Sequence, residues 1–333
     1  MNNNDINQSE TQQQQLTQQQ QIARAQGALL ALLAGDALGV QVEFLAEHER
    51  KQLGAATLLT LSPGPWHTLP GQPTEDGELV LLLCHMLAFY RCYQEQQAVA
   101  AYQYWLQTEP FAISASLQQA FSQAPSEQDL GLAALARQLP IAMMGVHFSL
   151  PQIAAWAMAD TALTQPAMLC QQISALYAML LAKAIDTGAD ADTLYQDLQQ
   201  WARELKVEFM LRQCIEQALF MPPANYENPA IPALCAFHNA VWQLLYAKSV
   251  GEAIVETVRQ GGDTGSNALI AAALVGAVHG IEKIDRDWLD IIARCKPQDG
   301  VTGVDQPRPQ AMWPVDALEL AKQLILLTPA KLT

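Results

Sequence analysis

Residues 261 to 280 read GGDTGSNALIAAALVGAVHG, a glycine-rich polar turn running straight into a segment of Ala, Leu, Val and Gly. Apolar residues fall on every face of that segment, so it predicts a helix buried on all sides. Ala268, Ala271, Ala272, Ala273, Gly276, Ala277 and Gly280 keep it narrow, and neighbours can approach its backbone closely. Such a helix needs other helices around it. The chain supplies them: Gly77 to Tyr93, Ala167 to Ile185 and Pro232 to Tyr246 all carry apolar residues three and four apart, and no run of alternating β-branched residues appears. Pro and Gly separate these segments, without a repeat period. The fold class expected is all-α, a single-domain multi-helix bundle over residues 21 to 330.

Composition narrows the partners. Half of the 333 residues are hydrophobic, enough for a large core. With 33 acids against 18 bases the chain lacks the basic surface that displaces counterions from nucleic acid, so no DNA, RNA or anionic membrane partner is expected. The six cysteines are far apart with no CxxC, the pattern of buried thiols in a reducing compartment. The opening MNNNDINQSETQQQQLTQQQ has no base and no apolar core, unlike a secretory signal. It reads as a disordered or frayed tail over residues 1 to 20 whose last part extends the first helix. The next apolar run, GALLALLAGDALGV, is broken by Asp36 and falls short of the roughly 20 residues of a membrane span. A cytoplasmic monomer is expected.

Acids and hydroxyls recur among glycines at helix boundaries: GDALG at 35 to 39 with Glu43 after it, PTEDGE at 73 to 78, GGDTGSN at 261 to 267 and, more weakly, PFAIS at 110 to 114. Two readings stay open for each. Asp263 and Thr74 are good N-caps, accepting hydrogen bonds from free helix N–H groups. Alternatively Thr74, Glu75, Asp76, Asp263 and Ser266 form an all-oxygen donor set suited to Mg²⁺. A phosphate loop fits poorly, because GGDTGSN carries no Lys and has an acid where anionic oxygens would sit. Asp36, inside an apolar run, must find a partner or cost several kcal/mol. The loop GAATLLTLSPGPWHTLPGQPTEDG, residues 54 to 77, is long for a compact domain. Trp66 within it packs on the protein or stacks on a ligand base.

Together, in this order, these segments resemble the ADP-ribosylglycohydrolase family, which includes the bacterial dinitrogenase-reductase activating glycohydrolases. GALLALLAGDALGVQVEF is similar to the family's opening GxxxGxxxGDALGxPxEF, GQPTEDGELVLLL to its TDD segment, and YQYWLQTEPFAISASLQQAF to its PFDIG segment. ALTQPAMLCQQISALY resembles the LTHP segment, and the stretch ending GGDTGSNALIAAALVGAVHG resembles the closing GGDTDTNAAIAGALxGAxxG. The likeness spans residues 25 to 295.

It implies an all-α orthogonal bundle whose binuclear Mg²⁺ centre supports removal of ADP-ribose from a modified side chain or a small ADP-ribosyl compound. Position by position, it places metal ligands at Thr74, Glu75, Asp76, Asp263 and Ser266, and catalytic acids at Glu43, Asp76 and Asp263. The substrate site falls on Asp36, Phe111, Ser114, Arg137 and Gly262. ADP-ribose or an ADP-ribosylated protein is the partner implied. The departures cluster in the site: Glu75 stands for an Asp, Gly265 for a carboxylate, Ala112 for an Asp and Gln165 for a His. The loss at Gly265 argues for one Mg²⁺ rather than two. Three functions remain open: a hydrolase with a modified metal centre, a catalytically impaired relative that binds ADP-ribose or a partner protein, and a scaffold that kept only the fold.

Overall fold

Gly27, Gly35 and Gly39 share one stripe of the first helix, Asn3–Val40, and that stripe decides how the bundle is built. A Cβ on Gly35 would lie 2.8 Å from the Ala268 carbonyl oxygen, and one on Gly27 would lie 2.8 Å from that of Gly276. The backbones therefore touch. Gly27 lies beside Gly276 while Gly39 lies beside Thr264, so the first helix and the Thr264–His279 helix run antiparallel along ridges of four-residue spacing. This contact brings the end of the first helix, with Asp36, and the turn after it, with Glu43, to the start of the Thr264–His279 helix, capped by Asp263.

In this computed structural model the backbone is described for residues 3–330 and side chains for residues 14–330. Among the described residues every regular element is a helix, as the missing β alternation predicts. The central Thr264–His279 helix is covered by Pro232–Tyr246, Val250–Gln260 and Met168–Thr187 in addition to the first helix. Tyr177 ties one of these to it by donating its hydroxyl to the Ile270 carbonyl at 2.7 Å. One contiguous apolar cluster runs from Ala25 to Ile325.

Helix ends follow local chemistry. Glu75–Tyr90 stops where Arg91 turns left-handed, and Met168–Thr187 stops at left-handed Gly188. The cap read at Asp263 is present, with its carboxylate accepting from the Ser266 N–H at 3.0 Å. All the cysteines are buried free thiols. Gln14–Val40 and Met168–Thr187 are long and apolar enough to cross a membrane by length and composition, yet 78% of each apolar window is buried inside the bundle. Core packing accounts for their composition. The expectation for the Gln/Asn-rich tail falls partly outside the described residues; the helix itself continues back to Asn3, and residues 14–20 are exposed.

Candidate functional site

Asp36 explains the local geometry first. It is buried at 1% exposure, and its carboxylate accepts from the Thr74 N–H at 2.8 Å and the Thr74 hydroxyl at 2.6 Å. The hydroxyl proton of Thr74 is thereby committed to Asp36, leaving the oxygen lone pairs free for the cleft. Gly77 makes room for this, since a Cβ there would crowd the Asp36 carboxylate. Asp36 itself lines no part of the cleft, which corrects its expected place among substrate contacts: it is a positioning residue for Thr74.

The cleft has two lobes of about 280 and 200 Å³ that share Glu75, Asp76, Ser114, Asp263 and Ser266. Together they fall in the lower part of the range of small-molecule sites, about 300–1,000 Å³. The first lobe is walled by Leu132, Ala133, Tyr226, Pro229 and Pro232, with Ser116 and Asn267 supplying polar groups. Lining the second lobe are Val40, Glu43, Trp66, Thr74, Ile113 and Gly265. Among the described residues no Lys, Arg or His lines either lobe.

Acids crowded without a cation hold their protons. Burial and the charges of Asp36, Asp263 and Glu43 push Glu75 up to about 8. Burial, then Glu75 and Asp263, raise Asp76 well above the carboxylate range, with a Ser266 hydrogen bond opposing. Burial likewise carries Asp36 up to about 7. Asp263 is raised by burial among the helix ends, but its side chain keeps an open face to solvent through the cleft, which tempers the effect. Burial also raises Glu43, against the indole N–H of Trp66, which donates to its carboxylate at 3.4 Å.

The donor set is all oxygen, lacks a counter-charge and contains no soft ligand, which suits a hard cation. Among the described residues, however, no three His, Cys, Asp or Glu side chains converge tightly enough to cage an ion. That arrangement excludes a closed cage of three acids and leaves room only for a cation that keeps much of its water shell, the way one or two carboxylates hold Mg²⁺. Gly265 is open: a Cβ there would find its nearest neighbour, the Val40 nitrogen, at 3.7 Å, an ordinary contact. Packing does not demand glycine at that position.

Of the residues read from sequence, Glu43, Thr74, Glu75, Asp76, Ser114, Asp263 and Ser266 meet in this cleft. Besides Asp36, three others do not. Arg137 is fully buried, with Nε donating to Asp160 at 2.7 Å and Nη2 to the Thr164 hydroxyl at 2.9 Å. An aligned arginine is a structural ion pair here, and its expected substrate contact is corrected. Phe111 packs toward Trp66, with ring centroids 6.4 Å apart, outside the lining of both lobes. Gly262 borders the Tyr226 carbonyl at φ 69°, where its role is to let the loop approach. Asn267 was missed by sequence reasoning although it directly follows Ser266. It is buried, lines the first lobe, and its side-chain oxygen has no hydrogen-bond partner.

The model of the ADP-ribosylglycohydrolase family matches residues 17–327. The chain belongs to the ADP-ribosylglycohydrolase family. Its relatives include the ADP-ribosyl-[dinitrogen reductase] glycohydrolase of Rhodospirillum rubrum, 25% identical over 277 residues, covering 80% of this chain and 89% of that protein. Another, provisionally designated an ADP-ribosyl glycohydrolase, comes from Acanthamoeba polyphaga mimivirus and is 23% identical over 304 residues, covering 82% of this chain and 92% of the relative. Among solved structures, an ADP-ribosylglycohydrolase-related protein complex has the same fold, with a TM-score of 0.73 at 23% identity, covering 93% of this chain and all of that one. The expected all-α ADP-ribosylglycohydrolase fold is the fold found, and family membership places the chain among glycosidic hydrolases.

Proposed function

We propose that the protein is a Mg²⁺-dependent hydrolase that releases ADP-ribose from a modified protein side chain or a small ADP-ribosyl compound. The observation that carries this reading is the convergence of Thr74, Glu75 and Asp76 with Asp263 and Ser266, nearly 200 residues apart in sequence, in one cleft with no basic lining residue. The reaction breaks the bond from the ribose anomeric carbon to the side-chain atom, adds water's oxygen to that carbon and returns a proton to the leaving group. Glu43 would move that proton, a role supported by its partly buried position in the second lobe and by its hydrogen bond from Trp66. Once a cation has displaced their protons, Asp76 and Asp263 would set negative charge beside a carbon that becomes oxocarbenium-like. Thr74, oriented by Asp36, offers an oxygen acceptor at the same place. A bound Mg²⁺, held by Thr74, Glu75, Asp76, Asp263 and Ser266, would orient ribose hydroxyls and lower the pKa of water.

The absence of three tightly convergent acids among the described residues favours a second reading, a binder of ADP-ribose without turnover. Release of ADP-ribose from ADP-ribosylated Arg and Ser peptides, with Mg²⁺ or EDTA, separates the two. Mg²⁺-dependent release that is lost in Asp263→Asn is expected. Equal background release by both proteins, with Mg²⁺-dependent ADP-ribose binding by calorimetry, would leave the binder.

A further inference from the structure

Trp66 is fixed from two directions. In front, its indole N–H donates to Glu43 at 3.4 Å, and Phe44 and Phe111 flank its ring at centroid distances of 5.7 and 6.4 Å. Behind, its main-chain carbonyl accepts from the Gln306 side chain at 3.1 Å. The residue after it, His67, holds φ 57°, a left-handed conformation uncommon outside glycine that surrounding contacts must maintain. Gln306 is itself held, because its carbonyl accepts from the buried Gln72 side chain at 2.8 Å, while Gln72 Oε1 accepts from the Leu69 N–H at 3.0 Å.

Two residues farther along, Arg308 anchors the segment to the helix that carries Asp76. Its Nε and Nη2 donate to the two oxygens of buried Glu78 at 2.7 and 2.9 Å. Nη1 reaches the Thr108 carbonyl at 2.8 Å, and Trp105 donates to the same Glu78 at 2.7 Å. The Arg308 carbonyl accepts from the Trp313 indole at 2.7 Å, and its N–H donates to the Pro297 carbonyl at 2.7 Å.

We propose that the segment from Pro297 to Trp313 is a strap that positions Trp66 and, through its indole N–H, the carboxylate of Glu43. The loop from Gly54 to Gly77 is anchored at its two ends, by buried Leu58 and Leu61 and by the Thr74–Asp36 hydrogen bonds, while Trp66 lies between these anchors. The strap holds Trp66 by docking on Glu78, one helical turn beyond Glu75, so Glu43 keeps its place relative to the acids of that helix. Trp66, Gln306 and Arg308 are positioning residues: of these only Trp66 lines the cleft. The inference rests on Glu43 being the proton-transferring group.

The test uses the full chain. Trp66→Phe keeps an aromatic ring without the indole donor, and Gln306→Ala removes the bond to the loop. Both are expected to lower kcat for ADP-ribose release, by up to about 100-fold for a misplaced group. KM, Mg²⁺ affinity and Tm should stay near wild type, and Gln306→Asn should be more active than Gln306→Ala. Independently of turnover, the Trp66 indole proton resonance, assigned by its loss in Trp66→Phe, should move in both Glu43→Ala and Gln306→Ala. An unmoved resonance in either variant overturns the strap whether or not the wild-type chain is active. A wild-type chain without turnover whose Trp66 resonance moves in both variants supports the strap and removes only the hydrolase reading. Should kcat in an active enzyme survive Trp66→Phe, the positioning of Glu43 by Trp66 is refuted.

Discussion

Raising pH in metal-free buffer perturbs the acid cluster without a mutation. Glu75 has an ordinary carboxylate value of 4.5 and sits at about 8 in the fold. Between those values the native state holds a proton that the unfolded chain releases. More protons bound in the native state means that unfolding free energy falls as pH rises, through this window, and levels off above about 8. The full shift corresponds to roughly 4–5 kcal/mol at about 1.4 kcal/mol per pH unit. Asp36, raised to about 7, acts in the same direction, but it is also one of the charges that raises Glu75, so the two effects overlap. Glu75 alone accounts for a loss of roughly 4 kcal/mol between about pH 5 and pH 8, a large part of a typical domain stability of about 5–15 kcal/mol, and Asp76, raised in the same direction, adds to it. If, as proposed, Mg²⁺ binds the deprotonated acids, it should restore stability at the alkaline end and do little at pH 5. Urea unfolding at a series of pH values, in EDTA and in excess Mg²⁺, measures both effects. Glu75→Gln should flatten the EDTA curve. Stability that stays level or rises with pH in EDTA would refute the picture of uncompensated acids, as would an equal Mg²⁺ effect at both ends.

Other variants test individual contacts. Gly265→Asp restores a carboxylate where the nearest neighbour of a new Cβ lies at 3.7 Å, so the protein should stay folded and bind Mg²⁺ at least about tenfold more tightly, about 1.4 kcal/mol, by calorimetry. Asp36→Asn puts an amide donor against Thr74, which offers two donors of its own, and should cost about 1–3 kcal/mol in denaturant unfolding while weakening Mg²⁺ binding. Arg137→Ala leaves Asp160 buried without its cation and should cost about 3–5 kcal/mol; ADP-ribose affinity of the folded fraction should be unchanged, in contrast to a substrate-contacting arginine. Asn267→Leu removes the unpartnered oxygen in the first lobe and should weaken ADP-ribose binding severalfold without loss of Tm.

Much of the site was legible because its determinants are local. Asp263 caps its own helix, and the glycines before it announce the turn. An acid inside GALLALLAGDALGV had to have a partner, and that necessity could be read at Asp36 before the partner, Thr74, was known. Arg137 shows the opposite case. The resemblance assigned it to the substrate site, but Asp160, Thr164 and the face of Tyr102 lie around it only in the folded chain. Trp66 was open between packing and stacking, and the residue that holds its main-chain carbonyl, Gln306, is 240 residues away and leaves no mark on the loop's own sequence. Asn267 carried no signal beyond its place after Ser266, because an unsatisfied oxygen is a property of surroundings.

Helix content, the capped start of the Thr264–His279 helix and the oxygen-rich chemistry of 74–76 and 263–266 were determined by sequence alone. Propensity, capping and side-chain type act over a few residues, and a small-residue stripe declares in advance that backbones will touch there. Tertiary structure decided which acids face each other, which arginine is spent inside the core and which tryptophan holds Glu43. Those outcomes depend on burial and on partners distant in sequence. The antiparallel contact of Gly35 with Ala268 joins the two kinds of information: glycine makes it possible, but only the fold brings the far helix to it.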